Sequence, residues 1–376
     1  MKGLYIIWKD LHTKKLTGID KKILAQQKIF DSNGLNCKFI NLEYKKSLSL
    51  IEKICIRLPF SNINPKWKFD SVMPDVDYIY LRRPMFISNS MLKVLKRIKL
   101  TNGKVKILLE IPTYPYDREL TNNLFSWPLY IKDRFNRRKL YKYVDRIAVF
   151  TENTELFNIP TVRFTNGIDL DNLKVKTPLS IDTKTINLCI VSSFENWHGY
   201  DRIIKSLNMY YKNAGKLEFK LIIHFVGDGP KLKLYKRLVK KYNLNTNVVF
   251  YGRLFGESLD EIYNICDIAV DVFGMYRKNN NISCSLKSRE YFAKGLPVIS
   301  GCQIDLLENT KNFKYFLQFT NDKTLIDLND VITFYKSIYT LESKEMVIGN
   351  IRMFANATAG MEQGMKSIIH YIKKDE

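Results

Sequence analysis

Residues 187–215, NLCIVSSFENWHGYDRIIKSLNMYYKNAG, carry the pattern that decides how this chain folds. An apolar run passes through a polar loop and a glycine at position 199 into a segment of helical period closed by Gly215. The same order occurs at residues 3–34, GLYIIWKDLHTKKLTGIDKKILAQQKIFDSNG, where Gly18-Ile-Asp-Lys parallels Gly199-Tyr-Asp-Arg. A strand feeding a helix through a polar loop is the unit of a parallel sheet, since parallel neighbours need a crossover. Two such openings in one chain predict two α/β domains.

Outward from these openings, apolar runs alternate with helical patterns. In the first half the expected strands are CKFINLEY, DYIYLRR, VKILLEI, RIAVFTE and TVRFTNG, with helices such as SNSMLKVLKRIKLTNG between them. In the second half they are INLCIVSS, FKLIIHFVG, NVVFYGR, IAVDVFG and LPVISG, separated by PKLKLYKRLVKKYNL, SLDEIYNICD and SLKSREYFAKG. This alternation predicts doubly wound parallel sheets. The polar, proline-containing stretch 173–185 reads as the linker, so domains are expected at 1–175 and 176–345, followed by helices over 346–376 that pack back toward the first domain.

The chain has 376 residues, more than one ordinary core holds, and 45% of them are hydrophobic. The apolar run near the start is short, and no stretch of about 18 uncharged apolar residues occurs. Neither a signal peptide nor a spanning helix is therefore expected, which places the protein in the cytoplasm. Six cysteines are scattered without a CxxC pair, a usage that fits reduced thiols better than disulfides or zinc. Cys284 reads as a small filler. The net charge is +22, of which +15 falls in residues 1–175, and an excess of that size implies anionic partners. Phospholipid headgroups, nucleotide phosphates and nucleic acid all qualify, but RRM, KH, zinc-finger and helix-turn-helix signatures are missing, which weighs against nucleic acid.

Ligands of open α/β sheets sit beyond the carboxyl ends of the strands. In the loop FENWHGYDR, Gly199 lets the backbone approach an anion at a helix start and His198 can donate to a phosphate; a solvated helix-entry loop is the bland alternative. In VGDGP, Asp228 is expected to cap the following helix. Gly252 and Arg253 follow a strand and suit the wall of a flat base. Arg277 and Lys278 lie in an Asn-rich loop, either solvated or facing phosphate. Residues 280–300, NNISCSLKSREYFAKGLPVIS, then open a helix. Ser283 or Ser285 can cap it, the free amides of residues 285–287, Ser285, Leu286 and Lys287, face the strand ends, and Lys287 adds charge there. Glu290 lies one turn deeper, where it can accept two vicinal hydroxyls of a ribose or pair with Lys287 along the helix.

Taken in order, FTNGIDLDN, WHGYDRIIKSL, VGDGP, NVVFYGR and REYFAKGLPVIS resemble the donor domain of GT-B nucleotide-sugar glycosyltransferases of retaining family 4, over residues 164–300. The resemblance implies an α/β, GT-B fold of two Rossmann-like doubly wound domains facing a central cleft. It also implies a donor site for a nucleotide diphosphate sugar, with Glu290 on the ribose and nearby amides and cations on the diphosphate. No cofactor and no metal are implied, because protein cations neutralise the leaving nucleotide. Two departures stand out: the family's second Glu, eight positions before the matched one, is Ile282, and its Arg and Lys of the first donor loop fall on Ser193 and His198.

The first half is then the acceptor domain, with Gly18 facing the diphosphate. In LLEIPTYPYDREL (108–120), Asp117 or Glu110 can assist the acceptor hydroxyl and Tyr114 and Tyr116 can line a sugar site; equally, Glu110 can be a buried structural acid and the tyrosines packing. Residues 124–147 interleave aromatics and bases. Trp127, Lys132, Arg134, Arg137 and Arg138 suit an anionic membrane face, against the alternative of a solvated helix. These features read as a glycosyltransferase peripheral to the inner face of the plasma membrane. It would add a hexosyl unit to a polyprenyl-diphosphate-linked saccharide in bacterial surface polysaccharide assembly. A nucleotide-sugar epimerase and a non-catalytic nucleotide-sugar-binding partner of another transferase are the alternatives.

Overall fold

The computed structural model describes residues 1–8, 11, 17–41, 54–58, 76–121, 124–179, 184–213, 218–308, 310 and 312–374. Gly215, residues 42–44 of the second expected strand and residues 180–183 of the expected linker lie outside them. The chain forms two compact units, Met1–Thr165 with Met361–Glu376, and Asn166–Gly360.

The first unit is built on strands β1 (Gly3–Ile7), β2 (Cys37–Asn41), β3 (Tyr78–Arg82), β4 (Lys106–Glu110), β5 (Arg146–Val149), β6 (Glu155–Leu156) and β7 (Ile159–Arg163), in the order β2-β1-β3-β4-β5-β7-β6. The pairings are parallel except β6 with β7. Strands covered on both faces are apolar along their buried length, as GLYII is and as ILL within KILLE is. Successive side chains alternate between two cores. Leu4, Ile6, Ile79, Leu81, Ile107 and Leu109 meet Leu92, Leu95 and Ile98 of helix Asn89–Thr101. Tyr5, Ile7, Tyr78, Tyr80 and Leu108 meet Ile23 and Phe30 of helix Gly18–Ser32 together with Met365, Ile368 and Ile372 of helix Met361–Lys373.

The second unit holds β8 (Thr185–Ser192), β9 (Lys220–Gly227), β10 (Val248–Gly252), β11 (Ile268–Val270), β13 (Val298–Ser300) and β15 (Phe316–Gln318), parallel throughout in the order β10-β9-β8-β11-β13-β15. A two-residue ladder, β12 (Ile282–Ser283) with β14 (Gln303–Ile304), stands apart. The intervening helices are Asp201–Asn213, Leu232–Lys241, Glu257–Ile265, Leu286–Lys294, Leu328–Tyr339 and Lys344–Thr358.

The unit boundaries fall elsewhere than at 175 and 345. Ile168, Leu170 and Leu173 pack on the second core, the Ile168 amide donates to Ala359 O at 3.0 Å, and Arg352 donates to Leu170 O at 2.8 Å. Within the expected linker, Lys176 is buried with its ammonium on Cys266 O, so this stretch is docked rather than a spacer. Helix Lys344–Thr358 turns Val347, Ile351 and Ala355 into the same core, while Met361–Lys373 fills the first unit. The apolar stripes of these two helices match different cores. No described helix is long and apolar enough to cross a membrane.

Candidate functional site

Because the second sheet is parallel, the carboxyl ends of β8, β9, β10, β11 and β13 share one edge, and the loops after them converge there. The loop after β8 ends at Gly199, whose φ is +67°. A Cβ at this position would stand 2.5 Å from Gly274 N, so glycine is what lets the loops after β8 and β11 close on each other. His198 is buried and stacks on Tyr200. Its Nδ1 accepts the Glu195 amide at 3.0 Å and lies 2.8 Å from Ser192 Oγ, which leaves the neutral ring's proton on Nε2. Burial, reinforced by the charges of Lys287 and Lys278, holds its pKa far below the ordinary histidine value.

A concentration of polar groups surrounds Asp271, the residue after β11, which is fully buried. Its Oδ1 accepts Ser285 Oγ at 2.7 Å and its Oδ2 accepts Ser283 Oγ at 2.9 Å. Lys287 Nζ sits 3.6 Å from Oδ1 and donates to Tyr200 Oη at 3.1 Å and Asp271 O at 3.3 Å. Burial lowers the pKa of Lys287 below the usual lysine value, and Asp271 opposes the shift. Ser285 is the N-cap of helix Leu286–Lys294 and accepts the Ser288 amide at 3.1 Å. The cap takes that amide, and the amides of Leu286 and Lys287 point past the helix start, where the helix dipole favours an anion. One turn deeper, half-buried Glu290 accepts Tyr263 Oη through Oε1 at 3.0 Å, while Lys287 turns instead to Asp271. Arg289 faces the other way, fully buried, with Asp305 Oδ2 at 2.5 Å, Ser285 O at 3.0 Å and the carbonyl of Asn166. It ties the helix to the FTNG segment and fixes the cap. An ammonium, two directed amides and a carboxylate one turn away can hold a diphosphate and an adjoining diol.

The remaining expected donor residues flank this centre. Arg277 forms a two-pronged ion pair with Asp201, at 2.9 and 3.0 Å, and donates to Asn196 O at 2.7 Å. Lys278 Nζ lies 3.5 Å from the centroid of the Trp197 ring. Gly252 ends β10 with φ +71°, and Arg253 is exposed 3.5 Å from Asp228. Asp228 does not cap: it accepts the Gly229 amide, and helix Leu232–Lys241 starts at Lys231 without a side-chain cap. Ile282 occupies the short β12 ladder, paired with Gln303.

A protein-family model, Glycosyl transferases group 1, matches residues 171–327. The matched stretch lies within the second unit. Protein CapJ of Staphylococcus aureus is 30% identical over 102 residues, a match covering 27% of this chain and 22% of CapJ. The chain thus aligns with about a fifth of that relative's length. Among solved structures, Anabaena HepE, determined in complex with UDP, is 12% identical with TM-score 0.60 over 99% of both chains. WaaG, a glycosyltransferase of lipopolysaccharide biosynthesis, is 13% identical with TM-score 0.52 over 99% of this chain and 100% of its own. Identities this low carry the fold alone, and that fold is GT-B. Within the matched stretch, sequence reading missed Asp271, Tyr200 and Arg289. A lone aspartate directly after an apolar strand, in IAVDVFG, was the available signal for the first.

In the first unit the expected acceptor-side residues are mostly engaged in its interior. Glu110 is fully buried and its carboxylate accepts Lys22 at 3.0 Å, Arg82 at 2.6 Å, Tyr80 at 2.9 Å and Gln26 at 3.2 Å. Burial raises its pKa, but the two cations and their hydrogen bonds outweigh that and bring it to about 2. It is an internal counter-ion, not a group that meets an acceptor. Asp117 is half-exposed and paired with Arg137 at 2.5 Å. Tyr116 is buried, donating to Asp133 at 2.9 Å beneath the Arg83 guanidinium, so it is core. Tyr114 packs edge-on against Phe157. Gly18 opens its helix directly after the Thr17 capping box. Of the five residues expected at a membrane face, Lys132 donates to Ile56 O at 2.7 Å and Arg137 is held by Asp117 and Asp133, so both turn into the protein. Trp127, Arg134 and Arg138 are exposed.

Proposed function

We propose that the protein transfers a hexosyl unit from a nucleotide diphosphate sugar to a lipid-linked saccharide during assembly of a bacterial surface polysaccharide, working as a peripheral enzyme on the cytoplasmic face of the membrane. The observation that carries the donor half is the Lys287 ammonium beside the Ser285-capped helix start, with Glu290 one turn on, inside a group 1 glycosyltransferase domain. HepE binds UDP, which supports a nucleotide donor, and the lipopolysaccharide role of WaaG supports the acceptor class. When the anomeric carbon–oxygen bond breaks, its electron pair moves onto the diphosphate; Lys287 and the helix amides stabilise that charge as the acceptor hydroxyl attacks and passes its proton to the departing diphosphate oxygen. Protein cations thereby take the part a metal plays elsewhere, and retention of anomeric configuration follows from the family-4 resemblance. With Ile282 where the family has its sugar-reading Glu, recognition of the transferred sugar falls to other groups or is relaxed.

The test is a panel of nucleotide sugars incubated with the purified protein, scoring binding, nucleotide release and, with a saccharide acceptor, the product's anomeric configuration by NMR. One donor should bind, and Glu290→Ala should remove that binding. Binding without release or transfer would favour a non-catalytic partner, and conversion of the free donor without acceptor would favour an epimerase. Failure of every donor to bind would end the reading.

A further inference from the structure

Helix Trp127–Arg137 is amphipathic the wrong way round for a soluble domain. Its inward face presents Leu129 but also Asp133 and Asn136, all buried. Asp133 accepts the Ile87 amide at 2.7 Å and Tyr116 Oη at 2.9 Å, and Asn136 donates to Ile87 O at 3.0 Å. These three hydrogen bonds fix the rotation of the helix about its axis. The opposite face, at i, i+4 and i+8, is Trp127, Ile131 and Phe135, and the latter two are 59% and 65% exposed. Leu124, 84% exposed, precedes this stripe, and exposed Tyr141 follows it in the turn Leu140–Lys142. A helix on a soluble surface ordinarily buries such residues and exposes its Asp and Asn.

The rim supplies the charge. Arg134, Arg138, Lys139 and Lys142 are exposed, and the one acid between residues 124 and 142 is the buried Asp133. Two of these cations lie along the apolar groups: Lys139 Nζ is 4.2 Å from the centroid of Phe135 and Lys142 Nζ is 5.8 Å from that of Tyr141. Apolar tips between basic heads are the arrangement that inserts side chains at headgroup depth while ammonium and guanidinium groups meet phosphates. A second copy of the chain fits poorly, because a two-fold contact would set this rim of cations against itself.

We infer that residues 124–142 form the docking surface for an anionic lipid bilayer, with Leu124, Trp127, Ile131 and Phe135 entering the interface and Arg134, Arg138, Lys139 and Lys142 on the headgroups. The assignment gives the membrane-face part of the proposed function a specific surface and does not rest on the donor site. It is tested by co-flotation with vesicles of mixed phosphatidylglycerol and phosphatidylcholine, against phosphatidylcholine alone. The wild type should float with the anionic vesicles only. Ile131→Ser with Phe135→Ser should weaken that binding about tenfold or more, and Arg134→Glu with Arg138→Glu should do likewise at low salt. Both variants change exposed side chains and should keep the wild-type thermal midpoint and nucleoside diphosphate affinity, so that loss of flotation is separable from misfolding and from failure of the donor reading. Flotation by the variants equal to wild type, equal flotation with neutral vesicles, or none by the wild type would overturn the inference. So would a wild-type dimer that the Ile131→Ser, Phe135→Ser variant converts to monomer, since a second copy would then be the occupant.

Discussion

Lys287 and Glu290 are assigned to different parts of one ligand, so they should respond differently to its fragments. The ligands are the tightest-binding nucleoside diphosphate among UDP, GDP and ADP, and its parent nucleoside. Lys287→Met keeps an unbranched stem and deletes the ammonium. A hydrogen bond to a charged group contributes about 1.5–3 kcal/mol. In the free protein, however, this ammonium already lies 3.1 Å from Tyr200 Oη and 3.6 Å from the buried Asp271 carboxylate, so the gain on binding is partly offset. The low end is therefore expected: diphosphate affinity falls about tenfold and nucleoside affinity stays the same. Glu290→Gln removes the charge that accepts the ribose hydroxyls, and should weaken both ligands alike, by roughly ten- to a hundredfold. Isothermal titration at fixed ionic strength reads both. Because burial lowers the Lys287 pKa and a bound phosphate favours its charged form, diphosphate affinity should decline as pH rises through the free-state pKa, before the ordinary lysine range. The nucleoside and Lys287→Met should lack that limb. Equal loss of both ligands in Lys287→Met, or loss of neither, would refute the placement of the ammonium on the diphosphate.

Glu110→Gln leaves Lys22 and Arg82 buried without their counter-ion and should destabilise the first unit by about 3–5 kcal/mol in urea unfolding. The same carboxylate makes stability pH-dependent: its pKa falls from 4.5 unfolded to about 2 folded, so about 3 kcal/mol is present above pH 4.5 and is lost as pH drops toward 2. Gly199→Ala places a Cβ 2.5 Å from Gly274 N at positive φ and should lower donor affinity, whereas Gly349→Ala, with open space around it in a helix, should stabilise by about 0.5–1 kcal/mol in urea unfolding. Because His198 stays neutral, donor binding should show no titration between pH 5.5 and 7.5, and an inflection in that window would reassign the ring.

Much of the second unit was legible in sequence. The strands NVVFYGR and LPVISG, the helix SLKSREYFAKG and its Ser285 cap are local features, set by residues a few positions apart. The two-residue β6, β12 and β14 were too short to give a period. What was not legible was the destination of side chains. Glu110 and Asp117 are acids of one stretch, LLEIPTYPYDREL, yet one is enclosed by Lys22 and Arg82 and the other paired at the surface with Arg137. Lys287 and Glu290 share helical spacing, but Asp271, sixteen residues earlier, captures the lysine.

The amino-acid order alone determined the parallel sheets, the capped helix at 285 and the family resemblance, because strand and helix periods, capping and glycine punctuation act over a single turn or strand. The tertiary structure decided which charges are neutralised inside the protein, where the two units divide, and which face of helix Trp127–Arg137 looks outward. Those depend on partners brought together from distant positions, such as Asp133 on the Ile87 amide and Val347 in the second core, and no local pattern encodes them.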